Sequence, residues 1–593
     1  MHISKTFPVI LASEVFLMNI DPRIKKRNLQ ARGIEPADCV LKNCNVVDVF
    51  CGDIIETDIA ICDEYIAGIG NYSGVEEIDC NGSYVSPGFM EGHIHIESSM
   101  LSPRQFVSTV LPHGTTTVIC DPHEIANVAG VEGIKYLLDE SKNLPCAIYV
   151  MAPSCVPATH LENSGAILSS QEIAQLLDLP QVIGIAEMMN FPGVLFQDDE
   201  VIQKLSLGKK RHVPIDGHAP GLSGKDLQAY IGNGILSDHE CATAEEAREK
   251  LSSGMFVFIR EGSTARNLED LLPAVTNTNS HRCLLVTDDC HPDELLRDGH
   301  LDRILRRAIK LGLDPITALQ MVTLNVANYF GLSGRGGIAP GYRADLVIFD
   351  DLQDIRVKKV FSGGRLVDSE KLLGITGPKV LSDKYPAVFD SVHVDMENIS
   401  FQIPADGEFA KVIGIKKDQL LTESLELSVL KKDGYAVADP ARDILKLAVV
   451  ERHHSTGNIG LGFVQGFGLK QGALASTVGH DSHNITVIGA NDRDMELVVQ
   501  KIVAQGGGLA IANNGKIVAS LILDVAGLMA TDTAEHLADK FADLLKVAAS
   551  LGGRITDPFM LMSFLALPVI PHLKMTDLGL VDVDAFSHTS LWV

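Results

Sequence analysis

No stretch of this chain approaches the roughly 20 apolar residues that a membrane-spanning helix requires, so no membrane partner is expected. Positive charge is also short: 50 Lys and Arg stand against 76 Asp and Glu, a formal net charge of −26 that repels nucleic-acid phosphates and anionic lipid surfaces. None of the 11 cysteines forms Cys-x-x-Cys, and an odd number leaves at least one unpaired in any disulfide scheme. They read as reduced core residues. An apolar patch at residues 7–18 is broken by Glu14 and followed by no convincing cleavage site. The cytoplasm is the expected compartment. Internal repeats and low-complexity tracts are lacking too.

What is there is a sizeable hydrophobic complement, 46% of 593 residues, in a chain too long for one core. Residues 39–84 alternate short apolar runs with Asn, Asp and Gly, the pattern of short strands and hairpins. A matching set returns around 344–349 and 357–367, and the two separated pieces are expected to pair. Between them strand-like runs alternate with helical stretches: 116–120, 146–151, 182–187, 213–218, 235–239, 255–259 and 283–288, after an opening strand that leads into His93 and His95. Thr243 to Leu251 reads as a helix, and Asp314-Pro315 as an N-cap followed by proline at the first helical position. Eight alternations have the size of a (β/α)8 barrel, whose functional groups sit at the C-terminal ends of the strands.

The expected fold class is therefore α/β. An N-terminal extension (1–35) precedes a small β-sandwich domain (36–85 with 335–378), a TIM-like barrel (86–334) and a separate C-terminal α/β domain (379–593). The last carries a helix with an apolar stripe at Leu537, Phe541, Leu544, Leu545, Ala548 and Leu551, ended by Gly552-Gly553.

Polar residues end or interrupt the buried runs. His93 and His95 sit at alternate positions, so on a strand their imidazoles share a face. Glu187 follows Val-Ile-Gly-Ile-Ala, His218 follows Pro-Ile-Asp-Gly, His239 follows Leu-Ser-Asp, and Asp288 follows Leu-Leu-Val-Thr. Leaving one such group unpaired in a core costs roughly 1–3 kcal/mol, so six call for a common purpose, which a metal centre supplies. Four imidazoles and two carboxylates exceed one tetrahedral ion with an open position and suit two ions bridged by a carboxylate. Glu187 has a second reading as the cap of the following helix, and Asp289 competes with Asp288 for the metal, Asp288 being favoured.

These segments resemble the amidohydrolase superfamily and, within it, the adenine deaminases. The resemblance is carried by Pro-Gly-Phe-Met-Glu-Gly-His-Ile-His-Ile-Glu-Ser-Ser from Pro87, Cys-Asp-Pro-His-Glu-Ile-Ala-Asn-Val from Cys120, Ile-Asp-Gly-His-Ala-Pro-Gly from Ile215, Ser-Asp-His-Glu from Ser237, Thr-Asp-Asp-Cys-His-Pro-Asp from Thr287, and Gly-Leu-Ser-Gly-Arg-Gly-Gly-Ile-Ala-Pro-Gly-Tyr-Arg-Ala-Asp-Leu from Gly331. The region 453–491 is similar to that family as well.

The resemblance implies His93, His95, Glu187, His218, His239 and Asp288 as ligands of two divalent ions, manganese or iron first and zinc next. Glu187 stands where many superfamily members carry a carboxylated lysine. The implied reaction is hydrolytic deamination of adenine to hypoxanthine and ammonia. In it Asp288 is the proton acceptor and Glu97, His123 or Glu124 the acid for the ring nitrogen. Base contacts fall to Ser98, Glu124, Asp289 or Arg260. A purine base is the expected partner, with a homodimer or larger homo-oligomer as the assembly. The rivals are another amidohydrolase reaction, on a cyclic amide or a different base, and a noncatalytic scaffold.

Other signatures are missing. There is no His-x-Glu with Pro-Cys-x-x-Cys of the nucleic-acid-directed zinc deaminases, and His123-Glu124 lacks a second histidine at metalloprotease spacing. Gly460, Gly462 and Gly466 are spaced one residue too far for a dinucleotide fingerprint and read as turn glycines. His453-His454 and His480-Asp481-Ser482-His483-Asn484 stay open among a second metal site, a contribution to the purine pocket or a subunit interface, and a plain surface role.

Overall fold

A computed structural model describes residues 21–263, 265–368, 381–416 and 421–593. The apolar patch at 7–18 and the expected boundary at 378/379 lie outside the described residues. Among the described residues no helix is long and apolar enough to cross a membrane.

The site is positioned by eight short parallel strands. β1 (Phe89–Ile94), β2 (Thr115–Cys120), β3 (Ala147–Ala152), β4 (Val182–Met188) and β5 (Ile215–Gly217) pair consecutively. β6 (Ser237–Asp238), β7 (Phe256–Arg260) and β8 (Cys283–Val286) form a second parallel set. The two sets are joined at both edges: the Leu236 amide donates to the Ile215 carbonyl at 2.9 Å, and the Asp288 amide to the His93 carbonyl at 3.0 Å. The parallel sheet is thus curled. β1, β2 and β8 are buried along their whole length and the other strands are buried for the most part, as expected where helices cover a parallel sheet. The expected helices stand at Ala244–Ser252, capped by Thr243, and at Pro315–Met321, where the Asp314 side chain accepts the Thr317 amide.

Before and after this region the chain builds one eight-stranded sheet. Tyr84–Pro87, leading into β1, pairs antiparallel with Leu346–Phe349, which follows the helix Leu324–Tyr329. The two separated pieces therefore meet, and their strands hydrogen-bond into one continuous sheet.

The C-terminal part centres on a second eight-stranded sheet, with helices Asp492–Gln505, Ala534–Ser550 and Pro558–Leu565. It is closely joined to the β1–β8 region. One hydrophobic cluster runs from Ile94 and Ile96 to Leu445, Met529 and Met575, and Ala530 exchanges backbone hydrogen bonds with Met100 and Ser102. At the junction Asp577 accepts the Asn163 amide at 3.0 Å and Asn484 donates to the Asn163 carbonyl at 2.7 Å.

The glycine reading needs correction. Gly466 does turn the chain at φ +100°, but Gly460 and Gly462 lie inside the strand Ile459–Gln465. A Cβ on Gly460 would fall 1.8 Å from the Thr576 carbonyl oxygen, so glycine is required there by close backbone approach. Gly460→Ala is expected to destabilise by about 1–3 kcal/mol or more through overpacking, read as a lowered thermal midpoint. An unchanged midpoint would refute that packing account.

Candidate metal centre

All six expected ligands converge. His93 is the penultimate residue of β1, His95 stands just beyond its end, and their rings lie 5.1 Å apart. His239, after β6, stacks on His93 at 4.2 Å and stands 5.2 Å from His218. Glu187, near the end of β4, is central. One oxygen lies 3.5 Å from His95 Nε2 and 3.3 Å from His123 Nδ1; the other lies 2.8 Å from His218 Nδ1 and 3.1 Å from His239 Nε2. The helix-cap reading of Glu187 is thereby set aside.

Asp288 follows β8 in the left-handed region, φ +61°. That conformation turns its carboxylate to His93 Nε2 at 3.4 Å and His95 Nε2 at 3.2 Å. Asp289 faces elsewhere and accepts a hydrogen bond from Ser98. Of the adjacent aspartates, Asp288 is the one that faces these imidazoles. Arg260, expected at the base, is held by Glu240 and by Asp288 Oδ2 at 2.9 Å, and so orients the aspartate.

Electrostatics fit a cation. Burial alone would raise the pKa values of Glu187 and Asp288, yet neighbouring histidines, and Arg260 for Asp288, hold both well below the usual carboxylate range. Burial opposes charge on His239, but Glu187 and Asp288 lift its pKa to about 9. Protons here stand in for positive charge that the site demands. His95 Nδ1 donates to the Asp121 carbonyl at 2.9 Å, fixing its ring and leaving Nε2 toward the carboxylates. His93 Nε2, His123 Nδ1 and Asp121 Oδ2 are buried without a hydrogen-bond partner, an arrangement that costs free energy unless a ligand satisfies them. Ligand atoms of His93, His95 and Asp288, of His93, Glu187 and His239, and of His95, Asp121, His123 and Glu187 each lie within 4.8 Å of one another. The residues present fit divalent metal.

Beneath the ligands Glu91 accepts the His93 amide at 3.0 Å and the Thr287 hydroxyl at 2.8 Å, tying β1 to β8 at the point where His93 meets Asp288. Glu97 accepts the Ile125 amide with one oxygen while the other is unpaired, and burial with the charge of Glu124 beside it pushes its pKa up to about 7.

Two residues beside the ligand set escaped the sequence reading. Asp121 ends a buried strand as the ligands do, so the same criterion points to it. Glu240, beside Arg260, gave no signal of its own. The C-terminal cluster, left open by the sequence, meets the site through Glu124. His480 Nδ1 lies 2.5 Å from Glu124 Oε1, and His483 Nε2 hydrogen-bonds the other Glu124 oxygen. His453 and His454 instead bind the carbonyls of Ser482 and Ser164, which makes them struts of the junction.

Comparison with known proteins shows the family. The amidohydrolase family model matches residues 84–367, and that of the adenine deaminase C-terminal domain matches 419–587. The chain is 49% identical over 562 residues to adenine deaminase of Desulfatibacillum aliphaticivorans, covering 95% of this chain and 98% of that one. It is 47% identical over 558 residues to adenine deaminase 2 of Carboxydothermus hydrogenoformans, covering 94% and 97%. Among solved structures, an enamidase of the amidohydrolase superfamily aligns with 55% of this chain and 95% of its own, at 18% identity and a TM-score of 0.44. With nearly half its residues shared over almost its whole length, this chain belongs to the adenine deaminase family of the amidohydrolases.

Proposed function

We propose that the protein is a hydrolytic adenine deaminase, converting adenine and water to hypoxanthine and ammonia. The observation that carries this reading is the Glu187 carboxylate met by imidazoles of His95, His123, His218 and His239, in a chain whose full-length relatives bear that name. The curled sheet is read as a closed (β/α)8 barrel, flanked by the small β domain (36–85 and 335–378) and covered by the C-terminal domain (379–593).

His93, His95, Glu187, His218, His239 and Asp288 would hold two divalent ions, manganese or iron before zinc, since mixed imidazole and carboxylate donors suit all three. When bound, such ions supply a water nucleophile ionised near neutral pH. Glu187 spans both halves of the ligand set with its two oxygens. Asp288, aimed by Arg260, accepts a proton from the attacking water as oxygen adds to carbon 6, then returns it to the departing ammonia. For the ring nitrogen beside carbon 6, Glu97 is the proposed donor: one of its oxygens is buried with neither a hydrogen bond nor an ion pair, whereas His123 lies in ion pairs with Asp121 and Glu187, and Glu124 in ion pairs with His480 and His483. Ser98 and Asp289, joined to each other, present a polar pair to the base. A cytoplasmic homo-oligomer is part of the same reading.

The test is direct. Purified protein loaded with manganese or iron is expected to convert adenine to hypoxanthine with equimolar ammonia release, while guanine, adenosine and cyclic amides react far more slowly. Filled metal sites with no adenine turnover would overturn the assignment, and faster turnover of a cyclic amide would favour the rival amidohydrolase chemistry.

A further inference from the structure

The C-terminal part places a buried imidazole at the mouth of the metal centre with one nitrogen unaccounted for. His480 is only 6% exposed. Its Nδ1 is engaged by Glu124 Oε1 at 2.5 Å, and its ring stacks on Phe564 with centroids 4.8 Å apart and planes 27° from parallel. Its Nε2 has no hydrogen-bond partner. The next residue, Asp481, likewise has a buried, unpartnered Oδ2, and across the junction Glu97 has a buried, unpartnered Oε2. Unpaired polar atoms from both sides of one junction point to a polar ligand between them.

The ring is held from behind. The Gly479 amide donates to His483 Nδ1 at 3.1 Å, so His483 Nε2 carries the proton and donates to Glu124. His483 is thus a neutral clamp, in keeping with a pKa that burial lowers to about 4. Glu124, fixed on one oxygen by His483, fixes His480 with the other. Burial opposes charge on His480, but Glu124, Asp289 and Asp481 around it lift its pKa to about 9, so Nε2 is a donor near neutrality. His480 also borders a small cavity of about 30 Å3 together with Ser98, Met100 and Met560.

We propose that His480 is a purine-binding residue, its Nε2 donating a hydrogen bond to a ring nitrogen of the base remote from the reacting carbon, N3 or N7, with His483 positioning it through Glu124. The C-terminal domain would then supply part of the substrate pocket. This rests on the deaminase reading and names the far side of the same site.

The experiment titrates metal-loaded protein calorimetrically with hypoxanthine, which is not turned over, and with its 3-deaza and 7-deaza analogues. One analogue is expected to bind the wild type about 10- to 100-fold more weakly, the loss typical of a hydrogen bond to a charged group. In His480→Phe, hypoxanthine binding should fall to that level and the penalty for the same analogue should vanish, with metal content unchanged. His480→Gln, which keeps an N–H, should restore part of both. Equal binding of all three ligands by the wild type overturns the proposal without recourse to any variant. So does a deaza penalty that persists undiminished in His480→Phe. If metal-filled wild type turns over no adenine, the deaminase reading fails and takes this proposal with it; turnover combined with either contrary binding result sinks the proposal alone.

Discussion

Replacing Glu187 with alanine is expected to cut adenine turnover by about a thousandfold or more, equivalent to about 4 kcal/mol of lost stabilisation, and to lower metal content in the same preparation. Its two oxygens face four imidazoles from three separate strand ends and the helix start at His123. Without that charge the imidazoles confront one another across a buried cavity, and neither half of the ligand set keeps its shared carboxylate. Glu187→Gln retains the shape and one acceptor oxygen and should fall between wild type and alanine in metal content. Turnover and metal content of Glu187→Ala equal to wild type would remove this residue from the centre.

Asp288→Asn is the second large effect, and its signature differs. Asparagine tolerates the left-handed conformation at φ +61° and can still approach Arg260 through its oxygen, but it cannot take up a proton. Turnover should fall by about 10²- to 10⁴-fold, the range for loss of a positioned acid–base group, with the change in kcat exceeding any change in KM. Asp289→Asn, whose partner is Ser98, should show the opposite division, a larger effect on KM than on kcat. A greater loss of kcat in Asp289→Asn than in Asp288→Asn would reverse the roles assigned to the two.

The positions proposed as ligands were legible because the signal is local. A strand buried on both faces is an apolar run of a few residues, and a polar residue at its end stands out against it: Glu187 after Val-Ile-Gly-Ile-Ala, Asp288 after Leu-Leu-Val-Thr. The helix at Ala534–Ser550 declared itself by its stripe for the same reason. Asp121, directly after the buried strand Thr115–Cys120, fits the same pattern.

What stayed hidden depends on groups far apart in the chain. Arg260 looked like a free cation near a base; Glu240, 20 residues away, and Asp288, 28 away, hold it. Gly460 looked like a turn residue, yet its lack of a side chain answers to the Thr576 carbonyl, on a strand that no nearby sequence announces. The His480–His483 segment left a plain surface role ahead of a pocket or interface role. Its meaning lies in Glu124, 359 residues from His483.

By itself the sequence determined that strands would alternate with helices, that their ends would carry imidazoles and carboxylates, and that the chemistry would be metal-assisted, because burial and periodicity act over a few neighbouring residues. Only the tertiary structure decided which carboxylate each cation meets, that Asp288 rather than Asp289 turns inward, and that the C-terminal domain closes on Glu124. Those outcomes are set by distances between strand ends and loops, which no local preference encodes and which the packing of one shared core fixes together.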